Sequence, residues 1–333
     1  MEPVLTRREM FASCVSSFFV PACACLAQLA FHMAVPIAAD GEFAMGLLAA
    51  CVLLAAAFSA GTLVLRFDTK AFHVLLVVLF LLATAGAFRT SAHMAHYVGR
   101  AYPLQDGLLA ALDEFFGFHW PTMLSWFNEH PRAANVAGAA YQSFAWQMFL
   151  VPLAMACAGR YRALHRYFLA LSVAMVITNL GVYFVPALGA YHYYGIEPLM
   201  HPEIALGYGN KHVAEVLGAR EGSIVDFARV QMGIVTFPSF HAAYAVLAGW
   251  SFWRLGPLRY PGLVLNVSMG LATPLHGSHF VSDLVAGIGV MAASLVIARH
   301  GPAAAAAAFG RVRRMSPLLG RREHVGAEVP LRP

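Results

Sequence analysis

The sequence predicts an all-α fold: a polytopic integral-membrane helical bundle of about eight transmembrane helices built around a six-helix core. Three observations carry this. The 333 residues are 59% hydrophobic and only 12% charged, whereas a soluble domain carries roughly 25% charged residues. Long apolar runs recur along the chain, and a run of about 20 residues is enough to cross a bilayer. The basic residues, finally, are spread unevenly between alternate connecting segments, as they are in membrane proteins.

Run length and flanking charge place the spans at roughly 13–36, 43–65, 72–92, 134–157, 167–188, 236–253, 260–277 and 279–298. The first follows "TRRE", so a cleaved signal peptide competes with a retained helix. Its run is long for a signal sequence and no clean A-x-A site follows, which favours retention. The organisation is then 1–70, two N-terminal transmembrane helices; 71–298, the membrane-embedded core with long outer loops 98–133 and 189–235; and 299–333, a basic tail. Cys14, Cys23, Cys25, Cys51 and Cys157 all lie in apolar runs without a CxxC pair and read as small packing residues.

With the N-terminus in the cytoplasm, 16 of the 22 basic residues fall on the inside and 11 of the 17 acidic residues on the outside. The positive-inside rule thus selects one topology, with both termini cytoplasmic in an inner or plasma membrane. The net charge of +5 is accounted for by a tail lying against anionic lipid. Nucleic acid is not needed as a partner. The bilayer is the expected one, and the sequence sets no oligomeric state.

In the outer segment 98–133, Leu108, Leu109, Leu112, Phe115 and Phe116 recur near helical spacing, with Asp106, Asp113 and Glu114 between them. That predicts an amphipathic helix on the outer surface, with Trp120 and Trp126 at headgroup depth. His93 with His96, and His192 among three tyrosines, read as interfacial.

The chemistry gathers further on. "TFPSFHAAY" puts Ser239 and His241 at the mouth of one span, and "HFVSDLVAG" opens another with His279 and Asp283. The two histidines are one down-and-back hairpin apart, so both reach the same outer mouth. Asp283 follows His279 at i+4, one turn along a helix face. A carboxylate inside a membrane helix costs a few kcal/mol unless partnered. Partnered with His279, it would fix the imidazole tautomer and leave the other nitrogen free to attack. Unpaired amides at the helix start after Pro238 and Ser239 suit an oxyanion. The set reads as nucleophile (His279), orienter (Asp283), second acid/base (His241) and anion cradle (Ser239).

"PSFH" and "HFVSD" resemble the second and third signature blocks of the type 2 phosphatidic acid phosphatase superfamily. The flanking residues most resemble its inositol phosphorylceramide synthase-like, or inositolphosphotransferase, branch. The likeness is specific over about 236–290, looser over "DEFFGFHWP" and "YQSFAWQ", and absent from the first two spans and the tail. It implies a phosphatase or phosphotransferase of lipid metabolism with a phosphatase-like core and no metal or other cofactor. His279 would form a phosphohistidine supported by Asp283, and His241 would protonate the leaving oxygen and then activate the acceptor. Ser239 would bind phosphate on a lipid or polyprenyl phosphate at the periplasmic or outer face. With a lipid phosphate or phosphodiester as donor, water as acceptor gives a phosphatase, and an alcohol gives a phosphoryl-headgroup transferase of the ceramide or inositol type.

Two departures stand out. The Ser-Arg of the phosphatases is here Ala272 and Thr273, and their Lys-x6-Arg-Pro block is missing, since Gly218 stands seven residues after Lys211. The phosphate-binding cation is therefore sought in the loop: Arg220 first, with Lys211 and Arg229 as rivals. His276 and His279 form an HxxH without a nearby third ligand, so no metal site is expected. The alternative from another class is a membrane transporter or channel that uses the His/Asp cluster as a proton relay.

Overall fold

An apolar run that must satisfy its own backbone hydrogen bonds does so most simply as a helix. The computed structural model describes residues 70–197, 201, 211–222 and 234–319, and among them every regular element is helical. The expected spans 13–36 and 43–65, together with Arg229, lie outside the described residues. The helices are α1 (Lys70–Val98), α2 (Asp106–Phe115), α3 (Trp120–Glu129), α4 (Pro131–Cys157), α5 (Tyr161–Phe184), α6 (Ala190–Tyr193), α7 (Lys211–Glu221), α8 (Phe240–Phe252), α9 (Arg259–Gly277) and α10 (Val281–Leu319).

Among the described residues, two stretches are long and apolar enough to cross a membrane: α5 and the Val281–Gly301 part of α10. Helix α8 is shorter than the span expected over 236–253. Ser239 is its N-cap, which leaves 13 helical residues, or about 20 Å at 1.5 Å per residue.

Helix α8 packs among α4, α5, α9 and α10. Its Phe240, Tyr244 and Leu247 join Phe80, Leu164 and Phe168 in the principal core. Phe80 lies on Phe168 at 4.2 Å, and the Tyr167 hydroxyl donates to that of Tyr244 at 3.2 Å. A polar seam joins α4 to α9: the Asn266 amide donates to Gln147 Oε1 at 3.0 Å, and the Gln147 amide to Ser143 Oγ at 2.7 Å. Apolar helices that gain little from burying Leu against Leu use such bonds to fix their partners.

The outer segment corrects the sequence reading. It forms two short helices rather than one, and α2 turns two of its acids into the protein. Asp106 and Asp113 are buried, whereas Phe115 and Phe116 are 80% and 78% exposed. Trp120, expected at headgroup depth, is fully buried, and only Trp126 is exposed. The acids face inward because each accepts backbone amides: Asp106 from Leu188 and Gly189, Asp113 from Val281 and Ser282. His93 and His96 are likewise buried rather than interfacial, and His96 Nε2 donates to the Ile234 carbonyl at 2.8 Å.

Candidate active site

The site lies where the starts of α8 and α10 meet. Helix α9 ends at Gly277 because Ser278 takes a left-handed conformation, φ 56°. A non-glycine residue holds that conformation at a cost. Here it is offset by two bonds from the start of α6: the Ala190 amide donates to the Ser278 carbonyl at 2.8 Å, and the Tyr191 amide to Ser278 Oγ at 2.9 Å. The Tyr191 hydroxyl adds a bond to the Leu275 carbonyl. Burial raises the pKa of that phenol, which keeps it a donor.

The turn at Ser278 leaves His279 just before α10 rather than on it, which revises the expected one-turn spacing along a helix face. Asp283, the third residue of the helix, reaches back instead, as in half of a capping box. Its Oδ2 accepts the Phe280 amide at 2.9 Å and His279 Nδ1–H at 3.0 Å. Both side chains are buried, Asp283 completely. Since a carboxylate only accepts, the imidazole proton sits on Nδ1, and Nε2 carries the lone pair.

Nε2 faces α8. The Ser239 hydroxyl donates to it at 3.3 Å, and the same oxygen caps α8 by accepting the Ala242 amide at 3.4 Å. His241, the second residue of the same helix, stacks on Tyr141 of α4, ring centroids 4.2 Å apart, with the Tyr141 hydroxyl 3.4 Å from Nδ1. His279, Asp283, Ser239 and His241 are thus brought together at one end of the bundle.

Arg220 is not brought to them. Its guanidinium donates to the carbonyls of Tyr102 at 2.7 Å, Arg100 at 3.2 Å and Gly99 at 3.5 Å, closing the end of α1. Partial burial lowers its pKa, but an arginine stays charged at neutral pH. Where the phosphatases carry arginine, Thr273 is buried and its hydroxyl donates to the Met269 carbonyl at 3.0 Å. His276, the other half of the HxxH, is buried, and its Nε2 bonds the Ala134 carbonyl at 2.8 Å.

Three residues around this site were not read from the sequence as functional. Asp113 accepts the first two amides of α10, Val281 at 2.7 Å and Ser282 at 2.8 Å. Trp120 donates its indole N–H to the His279 carbonyl at 3.1 Å. Tyr141 lies against His241. Helix start, histidine backbone and second histidine are therefore each held by a side chain from α2, α3 or α4.

Fold and site together define an all-helical protein with a histidine–aspartate pair facing a serine-capped helix and a second histidine. The chain belongs to the PAP2 superfamily, a superfamily generally of phosphatase type, whose family model matches residues 107–297. That stretch contains His279, Asp283, Ser239 and His241 and the side chains of Asp113, Trp120 and Tyr141 around them. No curated protein and no solved structure matches the chain.

Proposed function

We propose that the chain is an integral-membrane enzyme that transfers a phosphoryl group from a lipid or polyprenyl phosphate through a phosphohistidine. One observation carries this reading. Asp283 holds His279 Nδ1–H at 3.0 Å, which turns the bare Nε2 toward Ser239 and the start of α8. His279 Nε2 attacks phosphorus, and the bond to the leaving oxygen breaks as His241 gives that oxygen a proton. Asp283 balances the positive charge on the phosphorylated ring. Water or an alcohol then passes its proton to His241, attacks phosphorus and breaks the N–P bond, which restores His279. Ser239 and the first amides of α8 form the cradle for the phosphoryl oxygens.

The membrane setting is supported by exposed apolar side chains on three of the helices. Val136 of α4, Leu271 of α9 and Val285 of α10 are 71%, 68% and 63% exposed, a pattern that suits lipid rather than water. The bundle of about eight spans with cytoplasmic termini rests on the charge bias, which sets the site at the outer face. Superfamily membership favours water as acceptor, and the likeness to the inositolphosphotransferase branch favours an alcohol. The clustering of titratable groups at one helix end favours an enzyme over a proton relay strung through the membrane.

The test is phosphate release from the detergent-solubilised protein with a panel of lipid and polyprenyl phosphates, repeated with inositol added. Release that disappears in His279→Ala supports the reading, and product appearing on inositol identifies transfer. Turnover that survives in His279→Ala contradicts it.

A further inference from the structure

His279 stands between two short stretches of backbone, and what holds them decides where its ring points. Ser278 before it is left-handed, φ 56°, and Val281 and Ser282 after it begin α10. A residue other than glycine keeps a positive φ only where its surroundings impose it. The groups that impose it on Ser278 therefore also place His279.

On the Ser278 side the bonds run back to α2. The Ser278 carbonyl and hydroxyl accept the Ala190 and Tyr191 amides at 2.8 and 2.9 Å. The two residues just before these give their own amides to Asp106. Leu188 donates to both carboxylate oxygens, at 2.9 and 3.1 Å, and Gly189 to Oδ1 at 2.7 Å. This segment lies hard against the turn. Gly189 has φ 102°, and a methyl group on it would lie 2.6 Å from the Ser278 carbonyl oxygen. A shift of residues 188–189 is thus passed to Ser278, and from there to His279.

The other flank is held from the same face of α2. Asp113 follows Asp106 by seven residues, two turns along the helix. It accepts the Val281 and Ser282 amides at 2.7 and 2.8 Å. Both carboxylates are buried. A helix that only filled space would turn apolar side chains inward, because a buried charge is costly to desolvate. Two acids at this spacing supply instead bonds of fixed direction, one to each side of the nucleophile.

We infer that Asp106 is a positioning residue for His279: through the amides of residues 188–189 and the turn at Ser278 it sets where the imidazole stands relative to Ser239, while Asp113 fixes the opposite flank. The inference rests on the phosphohistidine reading, in which Nε2 must meet phosphorus in line. Asp106 touches no substrate and exchanges no proton. Its effect is on geometry, and a displacement of about 1 Å at a reacting atom costs on the order of 100-fold in rate.

The test uses the full-length solubilised protein on its best lipid phosphate, well below the unfolding range. Asp106→Ala should lower kcat at least about tenfold with KM within about twofold of wild type. Asp106→Asn, which keeps a carbonyl oxygen where Oδ1 stands, should recover most of the loss. Glycine at 278 separates positioning from packing, since it takes the left-handed conformation unaided. Measured against Ser278→Gly alone, adding Asp106→Ala should lower kcat only about twofold. Equal fold losses in the two backgrounds would overturn the inference, as would wild-type kcat in Asp106→Ala or a raised KM with kcat unchanged. If Asp106→Ala does not fold, Asp106→Ser, whose shorter acceptor falls short of the two amides, takes its place in the same comparisons. His279→Ala judges the phosphohistidine reading separately. An inactive His279→Ala beside a fully active Asp106→Ala removes only the role given to Asp106.

Discussion

The backbone amide of Ser239 donates to the carbonyl of Asp283 at 3.0 Å, so the residue that caps α8 is bonded to the residue that orients His279. The two helix starts approach this closely because Gly287 faces Ser239. A methyl group on Gly287 would lie 2.2 Å from the Ser239 carbonyl oxygen and 3.1 Å from Ala242 Cβ, so one helix would have to move. Gly287→Ala should lower turnover at least about tenfold by parting Ser239 and His241 from His279, a misplacement of the kind that costs rate without touching the chemistry. Gly289→Ala is the control. Nothing lies within 4 Å of that position, and alanine should be tolerated there or raise stability slightly.

Asp113 should matter as much to the start of α10 as any residue of that helix. Asp113→Ala leaves the Val281 and Ser282 amides without their acceptor in a partly buried setting, a loss of about 1–3 kcal/mol. Thermal unfolding of the solubilised protein should fall accordingly and turnover with it. Asp113→Asn keeps one acceptor oxygen and should recover part of both. Equal stability in all three proteins would show that the bonds do not hold the helix start.

Arg220 should behave as a strut. Arg220→Ala leaves the carbonyls of residues 99, 100 and 102 without their common donor. It should lower stability by roughly 1–2 kcal/mol while the affinity for orthovanadate stays at the wild-type value. A large loss of vanadate affinity without loss of stability would return Arg220 to the phosphate.

These cases show what the sequence made legible. His279, Asp283, Ser239 and His241 could be read because each signature block is local, and because two consecutive helices bring their ends back to one side. The position of His279 could not be read to the residue. "HFVSD" fits helical spacing throughout, and only the left-handed Ser278, stabilised by α6, delays the helix to Val281. Asp113 and Asp106 were misread for a different reason. In a surface helix, acids between leucines mark the wet face, but here their partners are amides of residues 281–282 and 188–189, far along the chain. No local pattern encodes that. Trp120 looked like a headgroup anchor by composition and instead donates to the His279 carbonyl.

The proposed orientation of the site rests on charge alone and has a direct test. In a background freed of its five cysteines, Lys211→Cys should react with an impermeant thiol reagent on intact cells, and Gly320→Cys should not. The reverse labelling would turn the site toward the cytoplasm.

The central claim is that phosphorus is bonded to His279 during turnover. Rapid acid-free quenching of a reaction with a 32P-labelled substrate whose leaving group needs no proton tests it most directly, with His241→Ala used to slow the second half. The account predicts acid-labile, base-stable phosphate on the protein, mapped to His279 and missing from His279→Gln. Product formed at full rate with no phosphoprotein in either background would contradict it and point to direct transfer to the acceptor.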